Sequence, residues 1–150
     1  MKIIINKFIV LENIRESLEN IKASYTLYKS RPKYHLISAS KTLKYLDHVK
    51  FVKNNPYRKW FIIKLNKKFI GTIYFTKENS IGYYILDEYI NLTKIIFAKT
   101  LYKIKPLPEK LSINQKNFTI NISSKNKKYQ KIIKNIGGKI IQQTFIFNKK

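Results

Sequence analysis

Cysteine is absent from the 150 residues, which excludes disulfides, thiol nucleophiles and thiolate metal ligands. Histidine occurs only twice, at His35 and His48, and the eight acids are scattered, so no spacing gathers metal ligands. No Ser-His-Asp spacing suggests a hydrolase triad. Four glycines and four prolines punctuate the chain, and no internal repeat or low-complexity linker divides it. A single domain over 1–150 with a real core is expected. No apolar run approaches the roughly 18 residues that span a bilayer. The opening MKIIINKFIV is a short apolar run with a lysine at each end and no small-residue cleavage site. It reads as a first strand, and the cytoplasm is the default compartment.

Against these absences stands a surplus of positive charge. Lys and Arg total 31, giving a formal net charge of +23. Such a field favours polyanionic partners: nucleic acid, anionic membrane surfaces or phosphorylated small molecules. Only Arg15, Arg31 and Arg58 are arginine, while Lys, Ile and Asn dominate throughout. Their A/T-rich codons give the same profile through genome composition alone. Eleven tyrosines and nine phenylalanines supply rings for stacking single-stranded nucleic acid. Most stand at alternating strand positions that burial explains, and no RNP-like or helix-turn-helix signature accompanies them, so that reading is not favoured.

The chain is organised around Trp60–Leu101. Three apolar runs, Arg58–Leu65, Phe69–Thr76 and Ile81–Leu86, are separated by Asn66-Lys67-Lys68 and Lys77-Glu78-Asn79-Ser80, which predicts an antiparallel meander. At Asp87–Leu92 the period changes from alternation to helical spacing, so the third run passes directly into a helix, Leu92–Ile104, closed by Pro106 and Pro108. A helix start at the carboxyl end of a strand is where open sheets tend to bind anions.

Before the meander, Lys2–Leu11 reads as a strand and Glu12–Lys29 as a helix with Ile14, Leu18, Ile21 and Tyr25 facing the core. Pro32 ends that helix. Lys33–Ala39 is a connector carrying His35, and Ser40 caps a helix Lys41–Lys53 in which His48 takes a solvated or half-buried position. After the meander come a strand at Asn117–Ile122, a helix Lys125–Ile136 closed by Gly137-Gly138, and a last strand Ile140–Phe147. The predicted order is β-α-α-β-β-β-α-β-α-β, an α+β fold with a mixed, mostly antiparallel sheet flanked by helices.

This order resembles the GNAT superfamily of acetyl-CoA-dependent N-acetyltransferases. The likeness lies in Asp47–Val52 followed by Pro56–Ile63, in Lys67–Tyr74 with Ile81–Ile85, and in Asn126-Lys127-Lys128-Tyr129 with Ile132–Gly138. Within the superfamily it is most similar to small enzymes that acetylate amino sugars for surface glycans. The pyrophosphate loop of the family, Q/R-x-x-G-x-G/A, falls on Ile90, Thr93 and Ile95 here, so all three signature residues are missing and the loop is degenerate.

The resemblance implies acetyl-CoA as acyl donor and a small-molecule amine as acceptor, such as a nucleotide-linked amino sugar. Tyr84, Ile85 and Leu86 would run beside the pantetheine arm, with the pyrophosphate near Asn91, Leu92, Thr93, Lys94 and Ile95. Thr93 would cap the helix and Lys94 would act as a point charge on phosphate. Asn126 matches an asparagine that contacts cofactor or substrate, and also reads as a plain helix cap. The usual thiolate-protonating tyrosine is replaced by Ile133, which leaves Tyr129, one turn earlier, as its substitute or as the end of a core stripe. Glu88, with Asp87, is a candidate base or a helix-start charge. His35 and Tyr83 would border the acceptor, and Tyr83 and Tyr84 must lie on opposite faces of their strand. A catalytically degenerate member kept for ligand binding or scaffolding is the alternative.

Overall fold

A computed structural model describes residues 1–35, 43–113 and 115–145. The N-terminal apolar run is folded back on itself rather than forming one strand. β1 (Lys2–Ile4) and β2 (Ile9–Asn13) pair antiparallel across a turn in which Asn6 Oδ1 accepts from the amides of Phe8 (2.9 Å) and Ile9 (2.8 Å). An asparagine side chain that bonds its own backbone downstream makes such a turn without glycine. Glu12 consequently belongs to β2, not to a helix, and its carboxylate receives Lys64 at 2.6 Å and Lys2 at 3.3 Å.

After a 3-10 turn at Ile14–Glu16, α1 (Leu18–Lys29) starts at Ser17, whose Oγ accepts the Asn20 amide at 3.0 Å. Starting there turns Leu18 outward, 73% exposed, while Ile14, Ile21 and Leu27 are buried. α2 (Tyr45–Lys53) starts at Lys44; Ser40 and Lys41 lie outside the described residues. Val52 and His48 are buried on its inner face.

The meander forms as expected: β3 (Lys59–Leu65), β4 (Lys68–Phe75) and β5 (Ser80–Ile85) are antiparallel. Asn66 and Lys67 both take positive φ, 46° and 70°, as a two-residue hairpin turn requires. The β4–β5 turn places Asn79 wholly out of solvent. Its amide donates to the carbonyls of Leu107 and Gln115, each at 2.8 Å, and its Oδ1 accepts the Leu107 amide at 2.7 Å. These bonds anchor the loop that delivers β6 (Thr119–Ile120), the single parallel strand, against β5.

The six strands lie in sequence order in one sheet, with α1 and α2 over one face and α3 (Thr93–Lys103) and α4 (Lys127–Asn135) over the other. The class is α+β with a mixed, mostly antiparallel sheet. Two differences from the sequence pattern are the extra N-terminal strand and the C-terminus. Residues 140–145 form no strand, with Ile140, Ile141 and Phe145 each more than 60% exposed; Ile146 and Phe147 lie outside the described residues. Having only two residues, β6 offers a short edge on which to build a further strand.

Candidate functional site

β5 is paired along its whole length to β4 but to β6 only at Ser80–Thr119 and Ile81–Ile120. β6 ends there, and no strand among the described residues flanks the rest of β5 on that side. At the far end Ile85 stands opposite Gly71, and the next amide, Leu86 N–H, reaches Ile70 C=O at 2.9 Å. Antiparallel pairing alternates the direction of backbone groups, so Ile85's own N–H and C=O point into the gap. Gly71 permits this close approach, since a Cβ there would lie 2.4 Å from the Tyr84 carbonyl oxygen and 2.9 Å from Ile85 Cα. What meets the exposed peptide edge is one side chain. The Tyr129 hydroxyl accepts from Ile85 N–H at 2.9 Å and donates to Ile85 C=O at 3.3 Å.

Tyr129 arrives there because Asn126 starts α4. Asn126 is buried, and its Oδ1 accepts the Tyr129 amide at 3.2 Å. The helix-cap reading of Asn126 is borne out, and its Nδ2 stands 3.2 Å from His35 Nδ1. With Oδ1 committed to an amide donor, Nδ2 must face the imidazole and donate. Nδ1 therefore accepts, and neutral His35 carries its hydrogen on Nε2. That Nε2 is buried and has no partner among the described residues. The imidazole packs edge-on against the rings of Tyr129 (4.7 Å between centroids) and Tyr84 (5.2 Å). Burial holds its pKa below the ordinary histidine range; Asp87 opposes the shift, and Arg31 and Lys128 add to it.

Tyr83 and Tyr84 do lie on opposite faces. Tyr84 packs with Leu27 and Ile62 under α1, its hydroxyl 3.3 Å from Ser30 Oγ. Tyr83 packs on Phe97 and Tyr129, its hydroxyl 3.1 Å from Thr93 Oγ1. Burial raises the pKa of Tyr83 and Tyr129 well above that of a free phenol, so both stay protonated.

The strand does pass directly into a helix, but through two 3-10 turns, Asp87–Leu92, before α3 begins. Two of the amides an anion would need are spent inside it: Tyr89 N–H on Leu86 C=O and Thr93 N–H on Ile90 C=O. Thr93 is buried and bonds Tyr83, so it does not cap the helix; Leu92 takes that position without a side-chain bond. Asn91, Lys94 and Ile95 are exposed along the helix start. Glu88 is 62% exposed, and its carboxylate meets Lys68 Nζ at 3.3 Å rather than the gap.

The structure thus gathers His35, Tyr83, Tyr84, Ile85, Asn126 and Tyr129 at one place and leaves Glu88 outside it. Two further residues join them. Tyr34 donates to Asp87 Oδ2 at 2.8 Å, and the Arg31 guanidinium lies over the Tyr84 ring, 5.2 Å from its centroid. Arg31's rarity as one of three arginines was the only sign of it in the sequence.

A six-stranded, mostly antiparallel sheet with helices on both faces is here the GNAT acetyltransferase fold. Three solved structures share it. Microcin C7 self-immunity acetyltransferase MccE, in complex with acetyl-CoA and AMP, matches with a TM-score of 0.63 and 16% identity over 89% of this chain and 79% of that one. RimL, the ribosomal L7/L12 α-N-protein acetyltransferase in complex with coenzyme A, matches at 0.63 and 14%, over 91% and 83%. The Salmonella typhimurium acetyltransferase that modifies the N-terminal serine of ribosomal protein L7/L12 matches at 0.65 and 15%, over 91% and 84%. No protein-family model and no curated protein matches the sequence. At these identities the likeness is one of fold. Among the described residues, no helix is long and apolar enough to cross a membrane.

Proposed function

We propose that this chain is an N-acetyltransferase that moves an acetyl group from acetyl-CoA to the amine of a small molecule, such as a nucleotide-linked amino sugar. The supporting observation is the outward-facing backbone of Ile85, which has a side-chain hydroxyl where a neighbouring strand would otherwise be. A pantetheine arm carries amides that pair with such an edge as a strand does. The fold neighbours bound to acetyl-CoA and to coenzyme A support the choice of donor. In the reaction the amine nitrogen attacks the thioester carbonyl carbon, the C–S bond breaks, the thiolate gains a proton and the new amide nitrogen loses one. Tyr83, Tyr84, Ile85 and Leu86 would align the arm, while Asn126 would hold α4 and His35 in register beside it. Tyr129 lies nearest the edge and would supply a hydrogen bond there, its raised pKa opposing any role as a base. For the pyrophosphate the fit differs from a glycine loop, because amides at the helix start are already bonded. Side-chain cations such as Lys94 would take that part, and donor affinity would fall steeply with salt.

Isothermal titration with acetyl-CoA, followed by mass spectrometry of a panel of amines, tests this reading. Heat of binding with acetylated product is expected. A second reading, a ligand-binding module without catalysis, is favoured by the Tyr129 hydroxyl on the Ile85 edge. It would be chosen if acetyl-CoA gives no heat at millimolar concentration.

A further inference from the structure

Two buried donors beside the gap are unused. His35 Nε2 and Arg31 Nε are both out of solvent and lack a hydrogen-bond partner among the described residues. They flank one side chain, since the Tyr84 ring has the imidazole against it at 5.2 Å and the Arg31 guanidinium over it at 5.2 Å. Arg31 also lies over Tyr28, 5.7 Å from the ring centre. Ring faces attract the charge of a guanidinium, but they do not satisfy its N–H groups. No carboxylate does so either: the ion pairs among the described residues are Lys2–Glu12, Lys64–Glu12 and Lys68–Glu88. Asp87, the acid whose charge acts on His35, is engaged by the Tyr34 hydroxyl. Lys128, at the start of α4, adds positive potential at His35.

We infer that Arg31 and His35 form a subsite for an oxyanion, a carboxylate or phosphate carried by the acceptor amine, held across the Tyr84 ring. A planar guanidinium is suited to the oxygens of such a group, and a neutral imidazole with hydrogen on Nε2 adds a donor. The acceptor is then an amine that also bears a negative charge: an amino acid, a phosphorylated amino sugar or a similar compound. The assignment of that anion to an acceptor rests on the transferase reading; the anion subsite itself does not.

The chain has two imidazoles, so a long-range nitrogen NMR spectrum reports each separately. The first arm adds inorganic phosphate, with chloride at matched ionic strength as reference. Phosphate is expected to move the His35 Nε2 resonance and raise the His35 pKa, because an anion beside the ring favours its protonated form, while His48, whose pKa burial lowers first and Arg31 second, moves much less. Arg31→Gln should weaken the response about tenfold, and Arg31→Lys less. Circular dichroism of each variant shows that it is folded, and the wild-type titration stands by itself if Arg31→Gln does not fold. The second arm compares glucosamine with glucosamine 6-phosphate as acceptors in the presence of acetyl-CoA, and preference for the phosphorylated amine is expected. The inference is overturned if phosphate leaves His35 unmoved, if both histidines move alike, or if folded Arg31→Gln responds as wild type does, which would mean an adventitious ion only. Absence of acetylation from both amines, with a specific His35 response, would count against the transferase and leave the anion subsite standing.

Discussion

The two histidines of this chain both sit among aromatic rings, but each is held through a different ring nitrogen: His35 by Nδ1, His48 by Nε2. His48 is buried between α1 and α2, with rings from Tyr25, Tyr28 and Trp60 around it. His35 has Tyr34, Tyr84 and Tyr129. Ser24 donates its hydroxyl hydrogen to Ile21 C=O at 2.7 Å, so its oxygen is free to accept His48 Nε2–H at 2.8 Å. Both imidazoles therefore carry hydrogen on Nε2; one donor is used and the other is not. An unused buried donor costs stability. At His48 the fold avoids that cost, although the indole Nε1 of its neighbour Trp60 is itself buried without a partner among the described residues. At His35, beside the end of β5 that no strand flanks, the donor stays unused.

The comparison can be strained from the sheet side first. Gly71→Ala drives a Cβ against the Tyr84–Ile85 backbone and should cost about 2–3 kcal/mol in denaturant unfolding. It should also disturb the His35 resonances more than those of His48. Next, His48→Ala removes a packed ring and leaves Ser24 short of a partner, for about 2 kcal/mol. His35→Ala deletes an already unpaired donor but leaves the buried Asn126 Nδ2 without its acceptor. Because the His35 ring is less buried than that of His48, it should cost less than His48→Ala, about 1 kcal/mol, and weaken acceptor binding as well. If the two variants showed the reverse order of stability loss, the contrast between the two histidines would be wrong.

Tyr129→Phe strips the hydroxyl from the Ile85 edge and should lower stability by about 1 kcal/mol. Acetyl-CoA affinity by calorimetry should be retained, since the donor's own amides would take the vacated groups. Acid should act on both histidines in the same sense. Burial lowers each folded-state pKa below the ordinary value of 6.5, so the unfolded chain binds protons more readily. Stability is then intact above 6.5 and is lost as pH falls from 6.5 through the lower folded values, a loss that His48→Gln should lessen. Smallest of all, Glu88→Gln breaks only a solvent-exposed contact with Lys68 and should change stability by less than about 0.5 kcal/mol. Its transfer rate should match wild type, whereas a large loss of rate would return Glu88 to the list of candidate bases.

The meander was legible almost to the residue because its strands are rich in Ile, Phe and Tyr and its turns fall on Asn66-Lys67 and Asn79. The N-terminal hairpin was not, because its turn depends on Asn6 bonding its own backbone within an otherwise apolar run. The first acids of the chain look like a helix start, yet Glu12 answers to Lys64 across the sheet, and Ser17 is the true cap. At the site, Asn126, Tyr129 and His35 were recognisable singly, through resemblance and position. Their meeting depends on chain segments 91 residues apart, which no local pattern encodes. Arg31 reads as a helix terminator beside Pro32, and only the placement of Tyr84 beneath it gives it another meaning.

The six residues Asp87–Leu92 hold a length of chain in reserve. A 3-10 turn rises about 2.0 Å per residue and an α-turn about 1.5 Å, so rewinding this stretch would shorten it by roughly 3 Å. Runs of this kind longer than three or four residues are uncommon, and this one carries α3 directly behind it. How these six residues are wound therefore sets the height at which α3 begins beside the end of β5.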